Sequence, residues 1–405
     1  MKSFTVILIS IIASFGLRAE RQPQIAQNSP PIDPKNMDTS VKPGDDFFRY
    51  ATGAWIKRTE IPPEYSRWGA FNELIERNND ALRTIADKAS QIQVDPKLAP
   101  ETQKVGDYYV GGMDEQSIEA MRTKPLEEEL GRIEAMKDRQ DVLTEIGHLH
   151  SIGINAFFNF GAGQDSKDST RDIAQAVQGG LGMPDRDYYT KQDPDMKQKR
   201  EKYVAHVTKM LTLLGEPPEK AADDAKRIMA LETKLAEASR TRVQLRDPIK
   251  NYNKMGVRQL QDLTPDWNWS DYFNKINLLE PGDVNLHQPE FFKAANEVFK
   301  STPIDDWKAY LRWHLISATA PYLSKDFVDE DFDFNERTLR GTQQNKPRWK
   351  RVIATEDDEI GEALGKLYVG FNFPPEAKAR ALELVNNLKE ALADRIKTLD
   401  WMDEP

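Results

Sequence analysis

Apolar residues spaced three and four apart recur along most of this chain, and that period constrains its fold more than any other feature. Ile228, Leu231, Leu235 and Ala238 follow it, and so do Leu382, Val385, Leu388, Leu392, Ile396 and Leu399. Such spacing gathers apolar side chains into a stripe on one face of a helix. Pro374 and Pro375 mark the start of the last of these helices, because proline fits the first helical turn. One stretch departs from the period. "INAFFNF" (154–160) is aromatic and roughly alternating, "DSKDST" supplies turn residues, and "RDIAQAV" follows, a pattern that predicts a β-hairpin. No repeat of fixed period is visible. The expected fold is mainly α: a large multi-helix domain with a small β-hairpin.

The 405 residues include no cysteine, 39% are hydrophobic and 30% charged. This is a soluble, globular composition with room for one large domain or two ordinary ones. The net charge of −10 argues against sequence-independent binding to nucleic acid, which rests on basic surface. The chain opens "MKSFTVILISIIASFGLRAE", with a positive residue at Lys2, an apolar run from Phe4 to Leu17, and Leu17 and Ala19 suited to a cleavage site. Residues 1–19 are therefore expected to be a secretory signal, too short for a comfortable membrane span, and an uncleaved anchor is the alternative. An exported chain without disulfides suggests a bacterial periplasm or exterior. Residues 20–36 hold four prolines and read as a flexible tether, and the folded region is expected over 37–405.

The chain has five histidines: His148, His150, His206, His287 and His314. No two stand four apart with a glutamate between them, as a helical zinc site of the HExxH kind requires. His148 and His150 lie two apart and would diverge by about 200° on a helix. "VDEDFDFNERTLR" has the alternating aspartates of a calcium loop, but its sixth position is Phe334 and its twelfth Arg340, so an acidic surface loop is the expectation. "GEALGKL" is too short between its glycines for a phosphate loop. "GGLGMPD" lacks the third glycine of a dinucleotide turn, and no GxSxG elbow occurs.

Eight blocks in order carry a resemblance. "MDTSVKPGDDFFRYATGAWIKRTEIPPEYSRWGAFNEL" (37–74), "DYYVGGMDEQSIEAMRTKPL" (107–126), "GGLGMPDRDYY" (179–189) and "RDPIKNYNKMGVRQLQDLTPDWNW" (246–269) are the first four. "LRWHLISATAPYLS" (311–324), "GTQQNKPRWKRVI" (341–353), "GEALGKLYV" (361–369) and "LDWMDEP" (399–405) complete them. Together they resemble the N-terminal region of the neprilysin-like zinc metallopeptidases, the M13 family. The resemblance implies a two-lobed enzyme that cleaves short peptides, in which a helical N-terminal region caps a zinc lobe. The zinc-binding HExxH and a later glutamate ligand would follow this region, and these 405 residues contain no HExxH. No catalytic or metal-binding residue is therefore assigned to this chain, zinc is expected only in the full-length enzyme, and the chain alone is expected to be inactive. Trp401 and Met402 would suit a core, which fits a chain that stops before its catalytic lobe.

The resemblance also implies a substrate-binding position. Arg67, in "YSRWGAF", matches the family arginine that meets the free carboxylate of a short peptide. A guanidinium grips a carboxylate with two parallel hydrogen bonds. Asn72 and Ile75 fall where the family can place an aspartate and a second arginine in the same subsite, so Asn72 is the other substrate-binding candidate. "NAFF" (155–158) mimics the family's Asn-Ala-aromatic substrate strand but lies far upstream of its place, and is expected to be a core strand. In "MPDRDYY", Pro184 and Asp185 suit a turn, Tyr188 and Tyr189 suit packing, and Arg186 and Asp187 could pair locally. The alternative to the peptidase reading is a standalone exported helical protein that binds peptides or a partner and does no chemistry.

Overall fold

A computed structural model describes residues 32–91, 100–279 and 281–402. The expected signal 1–19 and most of the tether lie outside these residues. Helices α1 (Phe47–Arg58), α2 (Ala70–Ser90), α3 (Pro100–Met113), α4 (Glu115–Met121), α5 (Glu127–Ala135) and α6 (Arg139–Ser151) come first. Strands β1 (Phe158–Asp165) and β2 (Asp168–Gln178) follow, then α7 (Asp187–Thr190), α8 (Pro194–Leu213) and α9 (Pro218–Ala238). Next come β3 (Lys254–Gly256), α10 (Val257–Leu263), α11 (Trp269–Lys275) and β4 (Asp283–Leu286). The chain continues through α12 (Pro289–Ser301), α13 (Ile304–Thr319), α14 (Lys325–Asp331), a π-helix (Phe332–Thr338), α15 (Arg348–Asn372) and α16 (Pro375–Ile396).

These elements divide into two compact units. The first takes residues up to Pro62, Arg67–Met113 and Lys346 onward, and the second takes Pro63–Ser66 and Asp114–Asn345.

The first unit is built on α2, α3 and α15. Two apolar clusters hold it: Ile85, Ala89, Val105 and Leu364 form one, and Ala86, Tyr109, Val352 and Ile353 the other. Helices α2 and α3 approach closely because Gly106 has no side chain. A Cβ there would lie 2.5 Å from the Ala89 carbonyl oxygen and 2.7 Å from its carbon, and backbone cannot step aside as a side chain can. Gly106→Ala should therefore cost about 1–3 kcal/mol. Gly111→Ala on the same helix has open space and should be neutral or slightly stabilising. Thermal unfolding of the two variants checks the contrast. At the N-terminal end, Pro34–Asn36 form a 3₁₀ turn, and Arg58 binds the Lys35 carbonyl at 2.7 Å.

Helix α16 starts with Pro375 as the sequence predicts, but its stripe is not buried. Leu382, Leu388 and Leu392 are each more than half exposed, and no residue of the helix is buried.

The second unit holds the main core. The stripe predicted on α9 is buried, with Ile228 and Leu235 fully so. The predicted hairpin forms from β1 and β2, and its turn is held by the Asp165 and Asp168 carboxylates accepting from the Lys167 and Thr170 amides. It belongs to a larger sheet than expected, four strands in the order β1-β2-β4-β3 with β2 and β4 parallel. Strand β1 begins at Phe158 rather than Ile154. Phe157 takes a positive φ of 67°, so Ala156, Phe157 and Phe158 are all buried in succession and the alternation is broken just before the strand. Asn155 of the "NAFF" run is exposed at this entry and the two phenylalanines fill the core, Phe157 edge-on to Trp307 and Phe158 stacked on Trp267.

The acidic stretch at 328–340 is not a surface loop. It is α14 continuing into the π-helix, because Phe327, Phe332 and Phe334 are buried along it. Buried Glu330 on the same stretch binds His206 at 2.9 Å, and the His206 ring stacks on Phe334. Among the described residues, no helix is long and apolar enough to cross a membrane.

Candidate functional site

Arg67 lies three residues before Ala70, the first residue of α2, just after the chain passes from the second unit to the first. It is exposed and has no ion-pair partner among the described residues. The helix behind it starts without a side-chain cap, and Gly69 accepts its first hydrogen bonds from the Asn72 and Glu73 amides at 2.9 and 3.1 Å.

One side of α2 is anchored. Glu73 accepts a hydrogen bond from the Trp55 indole of α1 at 3.1 Å, and Glu76 pairs with the buried Lys350 of α15. A different side carries Phe71, Leu74 and Ile75, exposed by 83%, 50% and 49%. Their spacing of three and four places them together on one face. Asn72, half-buried, lies about 100° round the helix from Phe71. Arg67 thus precedes a helix whose exposed face carries a short apolar stripe that contains Ile75, with Asn72 to one side of that stripe. That stripe was readable as i, i+3, i+4 spacing in "AFNELIERN", and went unremarked because exposure is not written in a period.

Among the described residues, Glu129, Glu145 and His148 bring potential metal-ligand atoms within 4.8 Å of one another. Glu145 and His148 stand one turn apart on α6, and Glu129 comes from α5. The arrangement is already neutralised by a cation of the chain. Arg132 reaches Glu145 at 3.2 Å and Glu129 at 3.7 Å, and His148 binds Glu129 at 2.7 Å. Burial raises the Glu145 pKa, and the charge of Arg132 opposes that rise. A divalent ion between these carboxylates would meet the guanidinium, so the group does not fit a zinc centre, and no zinc step is derived from it. His150, on the same helix, is occupied by the Tyr272 hydroxyl at 2.7 Å and the Ala156 carbonyl at 3.0 Å.

The "GGLGMPDRDYY" block is explained by a buried polar network. Tyr189 and Tyr203 each donate to Glu232 Oε2 at 2.7 Å, and the Met183 amide donates to the Tyr189 hydroxyl. His314 Nε2 stands 3.4 Å from the other Glu232 oxygen. Arg186 donates to the Ala236 carbonyl at 3.2 Å, with Asp187 4.0 Å away. The block ties its turn to α9 and is structural.

A mainly helical chain of this build, with a small four-stranded sheet, matches a class of metallopeptidases. It belongs to peptidase family M13, whose N-terminal model matches residues 43–405. Human endothelin-converting enzyme 1 is 29% identical over 420 residues, covering 98% of this chain and 53% of that protein. The mouse enzyme is 31% identical, with 91% and 49% covered. The Mycobacterium tuberculosis zinc metalloprotease Zmp1, solved with an inhibitor, superposes with a TM-score of 0.84 at 34% identity, over 92% of this chain and 56% of that one. PepO of Lactobacillus rhamnosis shares the fold, with a TM-score of 0.76 at 16% identity. The chain spans about half the length of the relatives it matches. Members of the family act on peptide substrates.

Proposed function

We propose that this chain is the substrate-access cap of an exported zinc metalloendopeptidase, and that Arg67 holds the C-terminal carboxylate of a short peptide. The observation that carries the reading is the exposed guanidinium of Arg67, without an ion-pair partner among the described residues, three residues ahead of the helix that bears the exposed apolar stripe. The carboxylate would take the guanidinium, the neighbouring side chain of the peptide would lie on Phe71 and Ile75, and Asn72 would hydrogen-bond from the side. Where the family places a second arginine this chain has Ile75, so one cation makes the carboxylate contact alone.

Zinc and the water it activates belong to the catalytic lobe, which makes this chain inactive by itself. The leader-like start of the sequence supports export, and the absence of cysteine supports a bacterial envelope or exterior. The uncovered stripe of α16 supports a lobe that packs on it: Leu382, Val385, Leu388, Leu392 and Ile396 are each at least 40% exposed on one helix. Apolar surface of that extent on one element marks a contact face. The same stripe is what favours the alternative of a standalone protein that binds a partner.

Reading the gene beyond codon 405 for an in-frame HExxH separates the two. In the full-length product, Arg67→Ala should raise KM for a peptide with a free C-terminus by about tenfold or more, since a charge-assisted hydrogen bond contributes about 1.5–3 kcal/mol. It should leave kcat, and KM for the C-terminally amidated peptide, nearly unchanged. Equal effects on both peptides would refute the carboxylate contact.

A further inference from the structure

A pocket of about 460 Å³ opens on the sheet of the second unit, far in sequence from Arg67 and independent of the reading given to it. Its volume lies in the range of small-molecule sites, about 300–1,000 Å³. Its existence follows from small side chains on the hairpin. Ala162 of β1 is paired with Ala174 of β2, and Gly161 precedes it, so the sheet has a shallow floor where larger residues would fill the space. Ile276 and Leu278, from the end of α11 and the chain beyond it, form an apolar wall. Phe160, also in the lining, meets the Tyr272 ring edge-on at 5.4 Å.

Four polar side chains line the pocket, and three are satisfied within the chain: Ser151 donates to the His148 carbonyl at 2.7 Å, and the other two are His150 and Tyr272. His150 and Tyr272 are bonded to each other, and the other imidazole nitrogen is engaged by the Ala156 carbonyl. Burial lowers the His150 pKa to about 4, so the imidazole is neutral near pH 7 and offers no charge to a ligand. Asp172 differs. It stands two residues from Ala174 on β2, where period-two alternation puts it on the same face. It is exposed and has no ion-pair partner among the described residues. The lining therefore combines an apolar interior with one free carboxylate at its edge.

We propose that this pocket binds a small organic cation, an ammonium group on an aryl-alkyl body. The body lies over the alanine floor against Ile276 and Leu278, and the ammonium meets the Asp172 carboxylate. The charge sits at the solvent edge, where an ion pair contributes modestly, so the carboxylate sets selectivity and the apolar walls supply most of the affinity.

The test uses phenethylammonium and its neutral counterpart 2-phenylethanol as probes, with saturation-transfer NMR and titration on the intact chain. The expected result is saturable binding of the amine, several-fold tighter than that of the alcohol. Asp172→Asn, at an exposed position, should weaken the amine about two- to fivefold and leave the alcohol unchanged. Ala162→Leu, which raises the floor, should weaken both. The proposal is overturned if the amine does not saturate, if the two probes bind equally to the wild-type chain, or if neither substitution changes amine binding. Far-UV circular dichroism of each variant keeps loss of fold from being read as loss of the site.

Discussion

Glu232→Ala should destabilise the second unit by about 3–5 kcal/mol, the range seen when one partner of a buried charged network is removed. Glu232 is fully buried on α9, and its Oε2 accepts from two tyrosine hydroxyls that come from α7 and α8. Burial first, and the Glu232 carboxylate second, push Tyr189 and Tyr203 well above the ordinary phenol range, so both remain protonated donors. The Tyr203 hydroxyl also accepts from the Trp313 indole at 2.8 Å, which extends the network to α13. Truncation to alanine would leave two buried hydroxyls without an acceptor and a cavity where the side chain was. Each orphaned group costs about 1–3 kcal/mol. Glu232→Gln separates the two terms, because its amide oxygen can still accept and its volume is kept, so it should cost well under half as much. Urea unfolding monitored by tryptophan fluorescence measures both. Equal losses for alanine and glutamine would mean that the charge, rather than the acceptor, is what the tyrosines require. A loss below 1 kcal/mol for alanine would show that the network contributes little to stability.

That network shows where sequence reasoning reaches its limit. Tyr189 was legible as a packing residue, but one glutamate among 66 acidic residues cannot be singled out before the fold brings it to the tyrosines. The α9 stripe and the hairpin were legible because a repeated period reports one buried face. Phe157 was not, because a phenylalanine at positive φ follows no local preference and is held there by packing and by the bond from its amide to the Tyr310 hydroxyl. The acidic run at 328–340 misled because its charges outnumber its two buried phenylalanines, Phe332 and Phe334, yet the phenylalanines decide the conformation. In α16 the period was read correctly, but a period says which side chains share a face and not whether that face is covered. Arg67 lies outside every period. Only the resemblance carried by "YSRWGAF" singled it out, and what the structure adds is that it is exposed and without an ion-pair partner among the described residues.

Glu356 supplies the prediction with the clearest dependence on pH. It lies on α15 between Ile353, which belongs to one apolar cluster of the first unit, and Ile360, which packs on the other. It is fully buried, and neither of its oxygens has a hydrogen-bond partner among the described residues. Burial first, and the neighbouring Asp357 carboxylate second, raise its pKa from 4.5 to about 7. Between those two values the folded state holds a proton that the unfolded state has released. Stability therefore falls as pH rises from 4.5 to 7 and is level above that. A displacement of about 2.5 units corresponds to about 3 kcal/mol. Glu356→Gln removes the titration while keeping the shape. Relative to the wild-type chain it should be near neutral at pH 4.5 and more stable by up to about 3 kcal/mol at pH 8. Taking the difference between the two proteins at each pH cancels the titration of every other group. Urea unfolding at intervals across that range gives the curve directly. A difference that stayed constant with pH would mean that Glu356 is ionised in the folded protein throughout. The carboxylate would then have to be reached by water, and α15 would have to open at its kink, where Ile360 departs from helical geometry at φ −131° and ψ 30°.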